Sequence, residues 1–412
     1  MKGIMYDLKM KNIVLTKTHL PGTRPMVKYR KDWQIPAIKY PNQVQVKTRL
    51  GGICATDLHQ IALKISYFAS IFTMPASSFP MGHEFVGEVS QTGGDATGFH
   101  AGERVVYCPI ATCEAYGFRM CPSCRTGDLQ GCACLAGVGD GTELEDLYGG
   151  RGGFRGYGGG GFCEYSIGFE KQYFRVPKGI ADEIAVLTEP FAVAIHAVSR
   201  NLPSDDQTVL VIGAGIIGLM TIAAIKALGS KCRIITLAHY PFQAETAKFL
   251  GSDIIISERD KDRLYKRIVD LSGGHLFKPM LGKKAVFGHT ALGTIFDCVA
   301  SEASMDDALH LISSNGKIVV VGLGYTKTKK IDWSIQVYKE VNIVGTLGYG
   351  MEPYEGGVHH AFELAFIFFQ RTPNLFTNLV THRFPIDRYK TAFRCAANKG
   401  PNRAIKVSFD FR

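Results

Sequence analysis

Three short segments carry side chains of the kinds that hold a divalent metal and move protons beside it. The first runs from Gly51 to His59 and contains Cys54, Thr56, Asp57 and His59; the second is His83 followed by Glu84; the third is Thr188, Glu189 and Pro190. Thiolate, imidazole and carboxylate are the donors that zinc accepts. Each segment alone has a plainer reading. A lone Cys54 is a small core residue in many proteins, a lone His83 a satisfied structural histidine, Thr56 a turn residue and His59 an exposed histidine. The sequence holds eleven cysteines, and Cys108, Cys113, Cys121, Cys124, Cys132 and Cys134 crowd into residues 108–134. That density points to metal ligation rather than a disulfide framework. Reduced thiols alone would stabilise a lobe with no large core poorly, whereas zinc supplies folding energy directly.

A second chemistry lies further on. The apolar run 209–212 leads into Gly213, Ala214, Gly215, Ile216, Ile217 and Gly218, a G-x-G-x-x-G spacing between a strand-like and a helix-like segment. Gly213 and Gly215 permit a tight turn and the close approach of a pyrophosphate to the N–H groups of a helix terminus, and Gly218 lets helix and strand pack together. The second strand of such a unit normally ends in an acidic residue that accepts hydrogen bonds from the adenosine ribose and repels a 2′-phosphate. Residues 207–244 contain no Asp or Glu, and the expected second strand runs into Ala238, His239 and Tyr240. The reading favours NADP over NAD, with His239 and Tyr240 as phosphate contacts, although neither supplies the fixed charge of an arginine.

These residues need a scaffold of two cores. A chain of 412 residues, 46% apolar and 20% charged, is that of a folded protein large enough for two domains with a cleft between them. Up to about residue 185 the chain reads as mostly β, with strand runs at 43–50 and 85–91. From about 185 to 344, strand candidates at 208–212, 233–237, 253–256, 294–298 and 317–321 alternate with helical stretches, including 217–228. That alternation predicts a doubly wound parallel sheet. The tail from 345 starts irregularly, continues as a helix at 359–369, ends in a strand at 404–411 and rejoins the first domain. The Gly-rich stretch 135–161 is too poor in apolar residues for a core of its own and reads as a surface loop, with a lid or contact arm as the alternative.

The net charge of +10 is spread along the chain, and the tightest cluster, Lys327 to Lys330, is short. A solvated basic surface is expected, and no nucleic-acid partner. The first sixteen residues mix lysines with apolar residues and lack a signal-peptide pattern, so a cytoplasmic location is expected. The long apolar run 209–225 contains the three glycines of the nucleotide motif and reads as a strand and helix, not a membrane span.

Taken in order, these motifs resemble the zinc-containing medium-chain alcohol dehydrogenases, in the branch that includes the polyol, glucose and threonine dehydrogenases, over nearly the whole chain. The resemblance implies a GroES-like, mostly β catalytic domain (1–185 and 345–412) and a Rossmann cofactor domain (186–344). It implies a catalytic zinc held by Cys54, His83 and Glu84, with Glu189 as a ligand or as a carboxylate that exchanges with water. Thr56 matches the hydroxyl that takes the alcohol proton, His59 the residue that relays it, and Asp57 the partner that orients the histidine ligand. The family's structural-zinc lobe reads C-x2-C-x2-C-x7-C, and Cys121, Cys124 and Cys132 match its last three positions. Residue 118 is Phe, so the first ligand is displaced to Cys113, with Cys108 or Cys134 as substitutes. Four thiolates close a tetrahedral shell, which makes that site structural.

The resemblance also implies hydride transfer between a small alcohol and a nicotinamide, in a homodimer or homotetramer. Polyols, secondary or simple alcohols, aldehydes and 3-hydroxy amino acids are the candidate substrates. Two alternatives stand beside it. A zinc-free quinone or enone reductase of the same superfamily has no use for Cys54, His83 and Glu189 together, and a non-catalytic nucleotide-binding protein has no use for the ligand and relay residues.

Overall fold

The computed structural model describes residues 1–7, 9–17, 26–64, 78–136, 160–288, 292–324 and 328–412. Lys327 and nearly all of the Gly-rich stretch lie outside them. The chain forms two compact units, Met1–Glu189 with Phe362–Arg412, and Pro190–Ala361.

The first unit is built on a seven-stranded sheet. Its strands run in the order Val380–Pro385, Lys406–Asp410, Gln43–Gly52, Glu84–Thr92, Arg104–Tyr107 and Tyr173–Arg175, and Tyr165–Phe169 also pairs with Gln43–Gly52. Val44, Val46, Phe85, Val89 and Val105 fill one core beside this sheet. A second core gathers Phe162, Phe393 and Phe409, whose rings meet edge to face or tilted, with centroids 4.9–6.0 Å apart. The helix Tyr389–Ala397 lies in this second core and packs against the strand Lys406–Asp410 and the helix Ala55–Ile61. A small antiparallel sheet sets Gly3–Asp7 between Val27–Arg30 and Ser78–Pro80.

The second unit holds a six-stranded, all-parallel sheet. Its order is Ile254–Ile256, Arg233–Leu237, Thr208–Ile212, Leu292–Asp297, Ile312–Val320 and Asn342–Gly345. In chain order this is 3-2-1-4-5-6, the doubly wound dinucleotide-binding arrangement, whose strand order reverses between Thr208–Ile212 and Leu292–Asp297. Val209, Leu210 and Val211 are fully buried, as expected of a strand covered by helices on both faces. The run 209–225 is thus the strand Thr208–Ile212 and the helix Ile216–Ala227.

The tail departs from its expected irregular start. Met351–Tyr354 and Gly357–His360 pair as an antiparallel hairpin, and the helix expected at 359–369 is Ala361–Arg371. The hairpin belongs to the second unit. Its Glu352 carboxylate, 1% exposed, meets His196 Nδ1 at 2.5 Å. Glu352 also stands 3.9 Å from Arg200 Nε. This buried contact ties the hairpin to the helix Thr188–Ser199, and the chain returns to the first unit at residue 362 rather than 345.

Candidate active site and nucleotide crevice

The strand Gln43–Gly52 ends at the first candidate segment. Ile53 N donates to the Val407 carbonyl (2.8 Å), which ties the strand end to the neighbouring strand. Cys54 then caps the helix Ala55–Ile61 in extended conformation, and its N–H donates to Asp57 Oδ2 at 3.0 Å. The capping bond fixes the turn and places Thr56 and His59 on the helix that Cys54 begins. His83 follows Gly82, whose φ is +86° and where a Cβ would lie 2.5 Å from Phe162 Cδ1, which leaves no room for a side chain. Gly82 therefore sets the turn that delivers His83 and Glu84.

Cys54, His83 and Glu84 come together, with ligand atoms all within 4.8 Å of one another. Thr56 Oγ1 is 3.5 Å from Cys54 Sγ. Asp57 Oδ1 lies 3.7 Å from His83 Nδ1, beyond hydrogen-bond length, and accepts a 3.4 Å contact from the Tyr6 hydroxyl. Burial would raise the Cys54 thiol, but the His83 charge and hydrogen bond, helped by Lys406, bring it down to about 7. Burial would lower His83, but Cys54, Asp57 and Glu189 raise it to about 10. The site thus favours thiolate beside positive charge, which a divalent cation displacing the imidazolium proton would also supply. His59 is shifted down by burial and by Lys64 and Lys399.

Glu189 does not join the three-donor group. It sits buried in the first turn of the helix Thr188–Ser199 and acts on His83 through its charge. The preceding turn is held by Asp182, which accepts from Arg49 Nε (2.8 Å) and Arg104 Nη1 (2.9 Å).

Sequence reasoning missed the group facing Glu84. Lys406, from the strand on the far side of Gln43–Gly52, forms an ion pair with Glu84, and both residues are 1% exposed. The strand between them presents Gly52, where a Cβ would lie 2.6 Å from Glu84 Oε2 and 2.8 Å from Lys406 Cε. Glycine is required because the two flanking side chains meet over that position. Lys399, which acts on both Cys54 and His59 through its charge, was missed as well. The alternation of the C-terminal strand gives no hint that one of its lysines points inward. Tyr6 was likewise invisible in the sequence.

The cysteine lobe gathers Cys113, Cys121, Cys124 and Cys132, with sulfurs all within 4.8 Å of one another. Cys113 opens the helix Cys113–Tyr116, Cys121 caps Pro122–Arg125, and Cys132 follows the turn Leu129–Gly131. The donor set fits a tetrahedral ion: zinc–sulfur bonds of about 2.3 Å imply sulfur separations near 3.8 Å, and Cys113 and Cys132 are 3.6 Å apart. Cys134 also lies in the lobe, 3.6 Å from Cys113. Cys108 does not; its thiol contacts the Ile110 carbonyl at 3.7 Å.

In the second unit Gly213 has φ +93°, and a Cβ there would lie 2.5 Å from Val299 Cγ2. A Cβ on Gly218 would overlap the Gly213 carbonyl, so the helix Ile216–Ala227 could not sit this close to the turn. Gly215, its N-cap, faces open space where a Cβ would meet nothing within 4 Å. That open cradle at a helix start, at the point where strand order reverses, fits a pyrophosphate. Ala238 is buried against the neighbouring strand, its N–H donating to the Ile256 carbonyl (3.0 Å), whereas His239 and Tyr240 are exposed beyond the second strand.

The fold and the donor sets fit a class, the zinc-binding dehydrogenases of two-domain build. Residues 40–178 match the alcohol dehydrogenase GroES-like domain family and residues 217–363 the zinc-binding dehydrogenase family. The chain belongs to the zinc-containing medium-chain alcohol dehydrogenase superfamily and is an alcohol oxidoreductase. L-threonine 3-dehydrogenase from Yersinia pseudotuberculosis is 28% identical over 374 residues, covering 90% of this chain and 93% of that protein. L-threonine 3-dehydrogenase from Burkholderia mallei is 29% identical over 353 residues, covering 85% and 88%. Among solved structures, galactitol-1-phosphate dehydrogenase from Escherichia coli superposes with a TM-score of 0.71 at 22% identity, covering 100% of both chains. The 2R,3R-butanediol dehydrogenase from Bacillus subtilis does so at 0.68 and 23% identity, covering 100% of this chain and 99% of that one. At these identities the structural likeness speaks for the fold. No described helix is long and apolar enough to cross a membrane.

Proposed function

We propose that this enzyme moves a hydride between a small alcohol and NADP, with Cys54, His83 and Glu84 holding a catalytic zinc and Cys113, Cys121, Cys124 and Cys132 holding a structural one. The observation that carries the reading is the meeting of one thiol, one imidazole and one carboxylate within 4.8 Å at the start of the helix that bears Thr56 and His59. Three protein donors leave a fourth position open, the mark of a catalytic rather than a structural site. When bound there, zinc lowers the pKa of a coordinated substrate hydroxyl and polarises a carbonyl.

The chain's own residues do the rest. Thr56 accepts the alcohol proton at its Oγ1 and hands it to His59, whose downward shift keeps the ring neutral and able to take it. Asp57 holds the Cys54 turn in place, and Glu189 adds negative charge beside His83. The carbon that gives up its hydride, with two electrons, to a bound nicotinamide would become a carbonyl, and one proton leaves through His59. Gly213, Gly215 and Gly218 would hold the nucleotide's pyrophosphate, and His239 and Tyr240, exposed beyond a second strand that ends without Asp or Glu, would take its adenosine 2′-phosphate. The threonine and polyol relatives make hydroxy amino acids and polyols the first substrates to try.

The test couples metal analysis to a substrate panel. The purified protein should contain about two zinc ions per chain and reduce NADP faster than NAD with at least one polyol, secondary alcohol or 3-hydroxy amino acid. Zinc confined to the cysteine lobe would move the assignment to the zinc-free reductases, and activity with NAD alone would remove the role given to His239 and Tyr240.

A further inference from the structure

The cysteine lobe holds more thiols than a tetrahedral ion can use. Cys113, Cys124, Cys132 and Cys134 are all buried, Cys134 completely, while Cys121 is the half-exposed member. Cys134 Sγ stands 3.6 Å from Cys113 Sγ, the same separation that Cys132 Sγ keeps from Cys113. A tetrahedral zinc–thiolate shell has sulfur–sulfur edges near 3.8 Å. Cys134 therefore sits at ligand spacing from a proposed ligand, although it lies outside the set of four whose sulfurs are all mutually close. It follows Cys132 by two residues in the turn Ala133–Ala136, so one short segment delivers two sulfurs to the same side of the cluster. Cys121 is delivered differently, from the N-cap of the four-residue helix Pro122–Arg125, whose outer side is exposed.

Cys134 also packs among Ala111, Ala115, Tyr116 and Phe169, and a buried cysteine in such company is ordinarily a small core residue. Core packing alone would not direct its sulfur at another sulfur when apolar neighbours surround it.

We propose that Cys134 is a fifth, exchangeable ligand of the lobe metal: Cys113, Cys124 and Cys132 hold the ion throughout, and the fourth place passes between Cys121 at the surface and Cys134 in the interior. The exchange is balanced. Cys134 gives up its thiol proton as its sulfur binds, Cys121 takes one up as its sulfur leaves, and the shell keeps four thiolates and an unchanged charge. Its consequence is retention, because a site that momentarily loses its exposed ligand is closed again from the buried side before water or a competing chelator completes the displacement. The inference rests on the reading of the lobe as a zinc site.

The experiment uses the full-length, zinc-loaded protein and reads metal rather than activity. Zinc transfer to a chromogenic chelator is timed for the parent and for Cys121→Ser, Cys134→Ser, Cys124→Ser and Cys121→Ser/Cys134→Ser, and cobalt is substituted into the lobe to count thiolates from the charge-transfer absorption. Cys121→Ser should keep its lobe zinc and a four-thiolate cobalt spectrum. The double variant should drop to three thiolates and release zinc on the order of tenfold faster. Cys124→Ser should lose the metal outright. Cys134→Ser keeps all four outer ligands and the lobe's shape, and should still release zinc severalfold faster than the parent. If Cys121→Ser is as labile as the double variant, or Cys134→Ser releases zinc at the parental rate, Cys134 is packing and not a ligand. A parent protein without lobe zinc overturns the zinc reading itself and the inference with it.

Discussion

Replacing Lys406 by methionine takes the cation out of an ion pair whose two members are each 1% exposed. Removing one partner of a buried pair destabilises by about 3–5 kcal/mol because the other charge is stranded, whereas replacing both by neutral groups of similar volume is close to neutral. The metal-free Lys406→Met protein should therefore unfold with about 3–5 kcal/mol less free energy than the parent, and Glu84→Gln/Lys406→Met should recover to within about 1 kcal/mol. The two single variants should differ. Glu84→Gln leaves a Lys406 amine that burial pushes down to about 8 against the raising charges of Cys54 and Asp57, so it can shed its proton and should be the milder. The sequence has two tryptophans, one in each compact unit. Trp333 is 46% exposed in the second, while Trp33 belongs to the first and donates its indole N–H to the Gly3 carbonyl at 3.0 Å. In a Trp333→Phe background, Trp33 fluorescence during guanidinium unfolding reports the unit that carries the pair. Zinc should shrink the Lys406→Met penalty, because the ion supplies positive charge to the same carboxylate. A single variant within about 0.5 kcal/mol of the parent, or a double variant no more stable than Lys406→Met, refutes the reasoning.

Three further outcomes are expected. Gly218→Ala forces the helix Ile216–Ala227 away from the Gly213 carbonyl, and at about 1–3 kcal/mol for an overpacked contact it should weaken NADPH binding, followed by nucleotide fluorescence, roughly ten- to hundredfold while leaving zinc content unchanged. Thr56→Ala should lower kcat by on the order of a hundredfold or more with the metal retained, and Thr56→Ser should restore most of it. His360 is pushed down to about 3 by burial and by the neighbouring His196; between its ordinary value of about 6.5 and that value the unfolded chain takes up a proton that the folded one refuses, so its contribution to stability is complete above that range and falls by about 1.4 kcal/mol per pH unit as acid is added. Thermal melts of His360→Leu across roughly pH 4 to 6 should show a shallower loss than the parent, and an unchanged slope would remove His360 as the cause.

The nucleotide-binding unit was legible because its code is local. Strands expected at 208–212 and 233–237 are Thr208–Ile212 and Arg233–Leu237, since a strand buried on both faces announces itself as an apolar run and its glycines mark the turn that follows. Other expected strands shift at their ends: 294–298 is Leu292–Asp297 and 317–321 is Ile312–Val320. The hairpin Met351–Tyr354/Gly357–His360 was not legible, because its anchor is Glu352 against His196, far apart in sequence. In the candidate active site the donors could be found from residue type and order. Their supports could not: Gly52 reads as one more small residue, Lys406 as a surface lysine and Tyr6 as an N-terminal aromatic. Each acquires meaning only from its neighbour across the sheet or the site, which sequence spacing does not encode. The lobe is intermediate, since the family resemblance implied its four close thiols, with Cys113 in the displaced first position and Cys108 or Cys134 as substitutes, while the nearness of Cys134 to Cys113 was not foreseen.

The ion pair that meets over Gly52 joins residues far apart along the chain. Gln43–Gly52 and Glu84–Thr92 leave the ribosome well before Lys406–Asp410, the strand that lies between Val380–Pro385 and Gln43–Gly52. Until it arrives, Glu84 lacks the Lys406 cation and the end of Gln43–Gly52 lacks its bond to Val407. The strand that closes the turn leading to Cys54 is thus the strand that brings the cation to Glu84, so the two arrive at the donor group together.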